Sequence, residues 1–225
     1  MDIVYLCRDG DNEELRYSLR SIKNLAYDKV WLFGGRPYWY QGLYQPMVSK
    51  GNKHANTTRS LRLACMDKRV SDPFILMNDD FFILKPTTVG NYDAGDMDEF
   101  IQRFVDRFRS SRYIQGLKET CEFMKKNGID KPLSYELHVP IVVHKKPMLY
   151  ALKRIATVSR VAYRSAYGNF AHLESETIAD VKIHEESGYI PTCDTFMSTD
   201  DTTFKLVKEK LAVMFPEPSP FEQWT

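Results

Sequence analysis

The first ninety or so residues alternate between short apolar runs and amphipathic stretches. Residues 2-DIVYLC-7 are β-branched and aromatic and stop at RDGDN, which predicts a buried strand followed by a turn. Leu15, Leu19, Ile22 and Ala26 then recur at helical spacing. They form one face of a helix whose start is signalled by Asp11 and Glu14 as a D-x-x-E capping pair. The run 29-KVWLFG-34 reads as a second strand, closed by Gly34 and Gly35. Strand, helix and strand within about 35 residues is the span of a βαβ unit, so parallel pairing with a right-handed crossover is expected. The aromatic, turn-rich segment RPYWYQGLYQP predicts a loop over or beside the sheet edge, and 57-TTRSLRLACMDKR-69 predicts a helix with Leu61, Ala64 and Cys65 on one side.

The most apolar run, 74-FILMNDDFFIL-84, carries two adjacent carboxylates in its middle. Beyond it, Asp96 with Glu99 predicts a capped helix with the stripe Phe100, Ile101, Phe104, Val105 and Phe108, and a charged face at Asp106, Arg107 and Arg109. The turn pattern NGIDKP marks a break near residue 128. After it, 138-HVPIVVH-144 reads as a strand and 147-PMLYALKRI-155 as a helix with Pro at its start. The tail 216-PEPSPFEQWT-225 is proline-rich and reads as extended. No linker divides the chain. The expectation is a single α/β domain over 1–225, with a sheet core over about 1–95 and a more helical portion over about 96–225.

Composition narrows the classes. Lys plus Arg is 31 against 30 for Asp plus Glu, which lacks the basic excess of a nucleic-acid binder. No window approaches the ~18 apolar residues of a membrane span. The opening has about six apolar residues before charge arrives and no basic leader, so no signal peptide is expected. Cys7, Cys65, Cys121 and Cys193 lie far apart with no C-x-x-C pair, and three of them sit in apolar patterns. Reduced cysteines and a cytoplasmic location follow as expectations. H-E-x-x-H, the P-loop, G-x-G-x-x-G and G-x-S-x-G are all missing from the sequence, which removes zinc-protease, P-loop, dinucleotide and common serine-hydrolase readings.

Asp79 and Asp80 in a strand would point to opposite faces, leaving one charge buried and unpaired at a cost of several kcal/mol. Two arrangements avoid this. Either the strand ends at Met77 and Asn78-Asp79-Asp80 is a turn at its carboxyl end, or the carboxylates hold a cation. Both hold together at the ligand-binding edge of an open α/β sheet, where Asp79, Asp80 and Asn78 would offer hard oxygen ligands to Mg²⁺ or Mn²⁺. Backbone capping by Asn and Asp in a turn is the plainer alternative. Parallel packing puts RDGDN on the same edge. There Asp9 is the better functional candidate, Asp11 being accounted for as the helix cap, and Gly10 lets the backbone approach a ligand. Trp39 with Tyr38 and Tyr40 would stack on a sugar or base, or pack as a surface loop. Lys153, Arg154 and Arg160, followed by Arg164, form either a solvated face or a diphosphate clamp.

These stretches carry a resemblance. The opening DIVYLCRDGD resembles the first conserved region of the Stealth family, with Leu6 or Cys7 where the family has tryptophan. The following 12-NEELRYSLRSI-22 is similar to the start of its second region, with almost no spacer, and 78-NDDFFIL-84 to its close. His138 in HVP and Arg164 in YRSAYGN match the third region more loosely. Stealth proteins are sugar-1-phosphate transferases, and the compact length also resembles bacteriophage proteins described as glycosyltransferases. The resemblance implies a GT-A-like fold, mostly parallel and flanked by helices, and a divalent cation. It also implies site residues at Asp9, Arg16, Asn78, Asp79, Asp80, His138 and Arg164, while Asn56 and Arg59, ahead of the strand that ends in this turn, are plausible contacts.

The expected activity is transfer of a sugar from a nucleotide-sugar donor, a UDP-sugar favoured, to a glycan or protein acceptor hydroxyl, in the cytoplasm of a host cell if phage-encoded. Asp79 and Asp80 would hold the cation, His138 would serve as general base, and Arg164 would bind phosphate oxygens. The alternatives are Stealth-type sugar-1-phosphate transfer and a non-catalytic nucleotide-sugar or glycan binding module.

Overall fold

The computed structural model describes residues 1–48, 53–108, 111–158, 160–184 and 193–223. The main sheet has five strands: β1 (Asp2–Cys7), β2 (Val30–Gly34), β3 (Leu43–Pro46), β4 (Phe74–Met77) and β7 (Ile141–Val143), in the order β3-β2-β1-β4-β7. The first four are parallel, with Ile3 opposite both Val30 and Ile75, and β7 runs antiparallel to β4. The α/β class with a mostly parallel sheet is therefore as the apolar pattern predicts.

Side-chain alternation along β1 feeds two cores. Ile3, Tyr5 and Cys7 pack with Leu15 and Leu19 of α1 (Glu13–Ser21) and with α4 (Arg112–Lys126). Val4 points the other way, toward Leu61 of α2 (Lys53–Met66) and Leu152 of α5 (Lys145–Arg154). Burying both faces is what makes a parallel strand read as a continuous apolar run.

The chain builds β2 and β3 on one side of β1, then crosses to lay β4 on the other. Strand order therefore reverses between β1 and β4, and a crevice opens outside their carboxyl ends. The run 74–84 breaks there. After β4 the carbonyl of Asn78 accepts from Phe81 N at 3.3 Å, closing a turn, and β5 (Phe81–Ile83) leaves to pair antiparallel with β9 (Phe196–Ser198) in a separate small sheet. A further two-residue pair, β6 (Tyr92–Asp93) with β8 (Glu176–Thr177), lies apart from both. The remaining helices are α3 (Met97–Phe108), α6 (Tyr163–Phe170) and α7 (Asp201–Met214), so the second half is the more helical one.

Several local expectations are corrected. Asn12, not Asp11, caps α1, accepting from Leu15 N at 3.2 Å. Asp11 is occupied by the indole N–H of Trp39 at 2.9 Å. The helix ends at Ser21, a 3₁₀ turn covers Ile22–Asn24, and Ala26 is exposed beyond it. The aromatic loop contains the edge strand β3, and Trp39 and Tyr40 are packed inside while Tyr38 stays exposed. The strand expected from His138 begins only at Ile141, leaving His138 in an irregular segment. Asp96 caps α3 as expected, accepting from Asp98 N and Glu99 N. Arg109 and the side chains of Asp106, Arg107 and Phe108 lie outside the described residues. All four cysteines are unpaired. No helix among the described residues is long and apolar enough to cross a membrane.

Candidate active site at the sheet switch point

A cavity of about 680 Å³ fills the crevice at the carboxyl ends of β1 and β4. Its walls come from Arg8, from Asn78, Asp79 and Asp80, from the first turns of α1 and α2, and from α4 and the start of α6. Gly34 and Gly35 pack against the end of β1 and the turn that follows it. A Cβ on Gly35 would stand 2.3 Å from Asp9 N and 2.4 Å from the carbonyl carbon of Arg8, so only a glycine lets β2's end pack against the RDGDN turn.

Asn12 ties the two turns together. Its side-chain oxygen caps α1, while its amide donates a short hydrogen bond to an Asp79 carboxylate oxygen. Asp80 points elsewhere. Its Oδ2 is 3.7 Å from Lys182 Nζ, and its Oδ1 is buried with no hydrogen-bond partner among the described residues. The turn thus sends the two carboxylates to different partners within one cavity. A third carboxylate, Glu14, is buried nearby and accepts from the Thr199 hydroxyl at 3.1 Å. Burial, with the charges of Asp80 and Asp79 adding to it, pushes Glu14 up to about 7. Burial and the Asp80 charge likewise raise Asp79, against the Asn12 hydrogen bond. Crowded carboxylates of this kind favour a proton or a cation among them. Cys7 also lines the cavity, but burial pushes its thiol up to about 12, which disfavours the nucleophilic thiolate at neutral pH.

Among the described residues, no group of three or more His, Cys, Asp or Glu side chains is arranged to enclose a metal. The donor set of Asp79 and Asp80 suits the other mode. Mg²⁺ and similar ions use one or two carboxylates and take their remaining ligands from water and substrate phosphates. The unpartnered Asp80 Oδ1 is a buried acceptor of the kind such an ion would satisfy.

A second chamber of about 370 Å³ continues from the first, and the two share Asn78, Tyr113, Glu136, Tyr163 and Lys182 as walls. His138 and Arg164 line it. Arg164 is buried, with its Nη2 donating to the Val139 carbonyl, its Nε unpartnered and its guanidinium 5.7 Å from the Phe81 ring centre. Burial lowers its pKa, in spite of the nearby Tyr163, Glu136, Asp180 and Asp80. Glu136 accepts from Ser165 N at 3.0 Å and from its hydroxyl at 3.1 Å, and burial raises its carboxyl.

The structure brings Asn56, Asn78, Asp79 and Asp80 to the first chamber, and Asn78, His138 and Arg164 to the second. It does not bring the other sequence candidates to either wall. Asp9 and Gly10 are exposed beside the cavity, and Gly10 has φ +126° with no atom within 4 Å of where a Cβ would stand. Its conformation, not a close approach, calls for glycine. Arg16 pairs with Glu222 at 3.2 Å and lies 4.2 Å from the Trp39 ring centre. Arg59 donates to Asn56 Oδ1 at 3.3 Å from behind the cavity wall. Of the basic run, Lys153 and Arg154 are exposed, and only Arg160 reaches the cavity.

The sequence reads Glu14 only as a capping residue, and the cavity roles of Asn12, Glu136, Asp180 and Lys182 escape a motif reading. A signal does exist for the last three. Glu136-Leu137-His138 and Asp180-Val181-Lys182 each alternate polar, apolar, polar, with Leu137 and Val181 buried and the flanking polar residues on a chamber wall. The chain matches no family model, and a comparison with curated proteins gives no match.

Proposed function

We propose that this protein is a nucleotide-sugar-dependent transferase that moves a sugar from a nucleotide-sugar donor, with a UDP-sugar favoured, to an acceptor hydroxyl with the help of a divalent cation. The observation that carries this reading is the pair of joined chambers at the β1/β4 switch point. One holds the Asp79–Asp80 turn with its unpartnered Asp80 Oδ1, the other an imidazole beside it. Open α/β sheets bind nucleotides in this crevice, and the reversed strand order with an antiparallel strand beyond β4 supports the GT-A-like arrangement that the resemblance implies.

Asp79 and Asp80 would hold Mg²⁺ or Mn²⁺, which neutralises diphosphate charge and stabilises the departing nucleotide. Asn12 holds Asp79 in place through its amide. Asn56 and Arg8 offer a donor and a positive charge to the donor end of the first chamber. His138 accepts the acceptor's proton, and the buried guanidinium of Arg164 adds positive potential where negative charge gathers. Four unpaired cysteines support a reducing, cytoplasmic setting.

The test is a nucleotide-sugar screen with and without Mn²⁺ that identifies the released nucleotide. Release of a nucleoside diphosphate is expected. A monophosphate would mean sugar-1-phosphate transfer on the same site, and no release or binding with any donor would leave a non-catalytic module. Asp80→Ala should abolish turnover while the chain stays folded by circular dichroism, and unchanged turnover in that variant would remove the cation role.

A further inference from the structure

The second chamber contains a half-buried pairing of His138 with Asp180, whose carboxylate the proposed reaction does not yet use. His138 Nδ1 lies 2.7 Å from Asp180 Oδ2, and the other oxygen of the same carboxylate accepts from the backbone N–H of His138 at 3.0 Å and of Val181 at 2.9 Å. One carboxylate thus grips both the ring and the backbone of the histidine. Burial alone would raise Asp180, but the His138 hydrogen bond and charge outweigh it and hold the carboxyl below its ordinary range. The ionised group is an acceptor only, so Nδ1 must carry a proton. The Phe81 ring lies 6.3 Å from the imidazole at 79° to its plane, and Phe81 follows Asp80 directly in the chain. Nε2 makes no hydrogen bond among the described residues, and the ring stands in the chamber wall.

We propose that Asp180 is a positioning residue that locks His138 in its Nδ1–H form, and that the 370 Å³ chamber seats a hydroxyl-bearing acceptor whose oxygen faces the free Nε2. A carboxylate in this position does not take the proton itself. It selects the tautomer whose other nitrogen is a base. In the step, the acceptor O–H proton passes to Nε2 while the acceptor oxygen bonds to the transferred group. The bond from that group to the nucleotide's phosphate oxygen breaks, its electron pair leaves with the nucleotide, and His138 later gives the proton to water. The aromatic rings of Phe81, Tyr113 and Tyr163 on the chamber walls suit the apolar face of a sugar ring, which makes a glycan hydroxyl the acceptor class.

This inference rests on the transferase reading above, and its test separates the two. The imidazole nitrogens of His138 are observed by ¹⁵N NMR in the wild-type protein at a pH where the ring is neutral, and then in Asp180→Asn. The wild type should show a protonated Nδ1 and an unprotonated Nε2, and the variant should lose that preference. With the donor found in the nucleotide-sugar screen, Asp180→Asn should lower kcat by on the order of 10²–10⁴-fold with the donor KM unchanged. A protonated Nε2 in the wild type overturns the inference even if the variant fails to fold. So does a variant with unchanged kcat while His138→Ala is inactive, and in that case the transferase reading stands. Wild-type protein that turns over no donor removes the reading and the inference together.

Discussion

Glu14 sets the pH behaviour of the site at the level of a single residue. It sits on the first turn of α1, where the helix dipole favours a negative charge, yet its carboxyl is held at about 7 because it is buried near two other acids. A folded-state value above the ordinary 4.5 means that the folded chain holds this proton more tightly than the unfolded one. The associated stability is complete below 4.5 and is lost as the pH rises toward 7. Glu14→Gln should therefore flatten the fall in Tm between about pH 5 and pH 8 in metal-free buffer. A slope equal to that of the wild type would assign the fall to other groups. The same scale shows what local sequence leaves undecided. Asp11 and Asn12 are both good caps, and only the distant indole of Trp39, which claims Asp11, and the distant Asp79, which claims the Asn12 amide, settle which one serves.

At the scale of elements, what reads well is what is governed by neighbours in sequence. β1, β2 and the broken run of β4 and β5 are visible because each strand is buried along all or nearly all of its length, and the polar turn between β4 and β5 interrupts an otherwise apolar stretch. β3 is missed because it is an edge strand whose four residues are exposed or half-buried, with no apolar alternation to find. Glu136 and the Asp180–Lys182 segment are missed, and His138 is read into a strand it does not join, because neither segment is a strand or helix and the partnership of His138 with Asp180 spans 42 positions. Element packing also yields a test. Gly35 carries the contact between the end of β2 and the RDGDN turn, and the atoms an added methyl would strike are backbone. Gly35→Ala should cost about 1–3 kcal/mol in a denaturant melt and weaken the proposed donor binding by displacing Arg8. A variant with wild-type stability would mean that the turn yields more readily than its packing suggests.

For the whole molecule, the legible portion of the site is whatever a single motif carries. The NDD turn and its place at the sheet's ligand edge follow from two apolar runs and a parallel crossover. Of the second chamber only Asn78, His138 and Arg164 are read from the sequence, because its walls come from the NDD turn, β5, α3, α4, α6 and two irregular segments that only the folded chain brings together. The proposed cation makes a global prediction. An ion that binds the folded carboxylates and not the unfolded chain raises stability by mass action. Mn²⁺ at a hundredfold excess over its dissociation constant should raise Tm by on the order of 5–10 °C. The shift should shrink sharply in Asp80→Ala, and an equal shift in both proteins would place the ion elsewhere.

The clamp of Arg16 and Arg20 on Glu222 has a consequence for synthesis. Arg20 meets Glu222 at 2.7 Å across 202 positions, and the Phe221 ring stacks with that of Tyr40 at 6.3 Å. As the chain emerges from the ribosome, the first helix waits for about 200 further residues before its two arginines find their counter-charge. β1 likewise waits for β4 before both its edges are paired. Pairings this distant must bear a large loop-closure entropy before they contribute. The early half should therefore remain only loosely committed while it is being made, exposing the apolar strands that border the crevice to chaperones until residues near 222 are released.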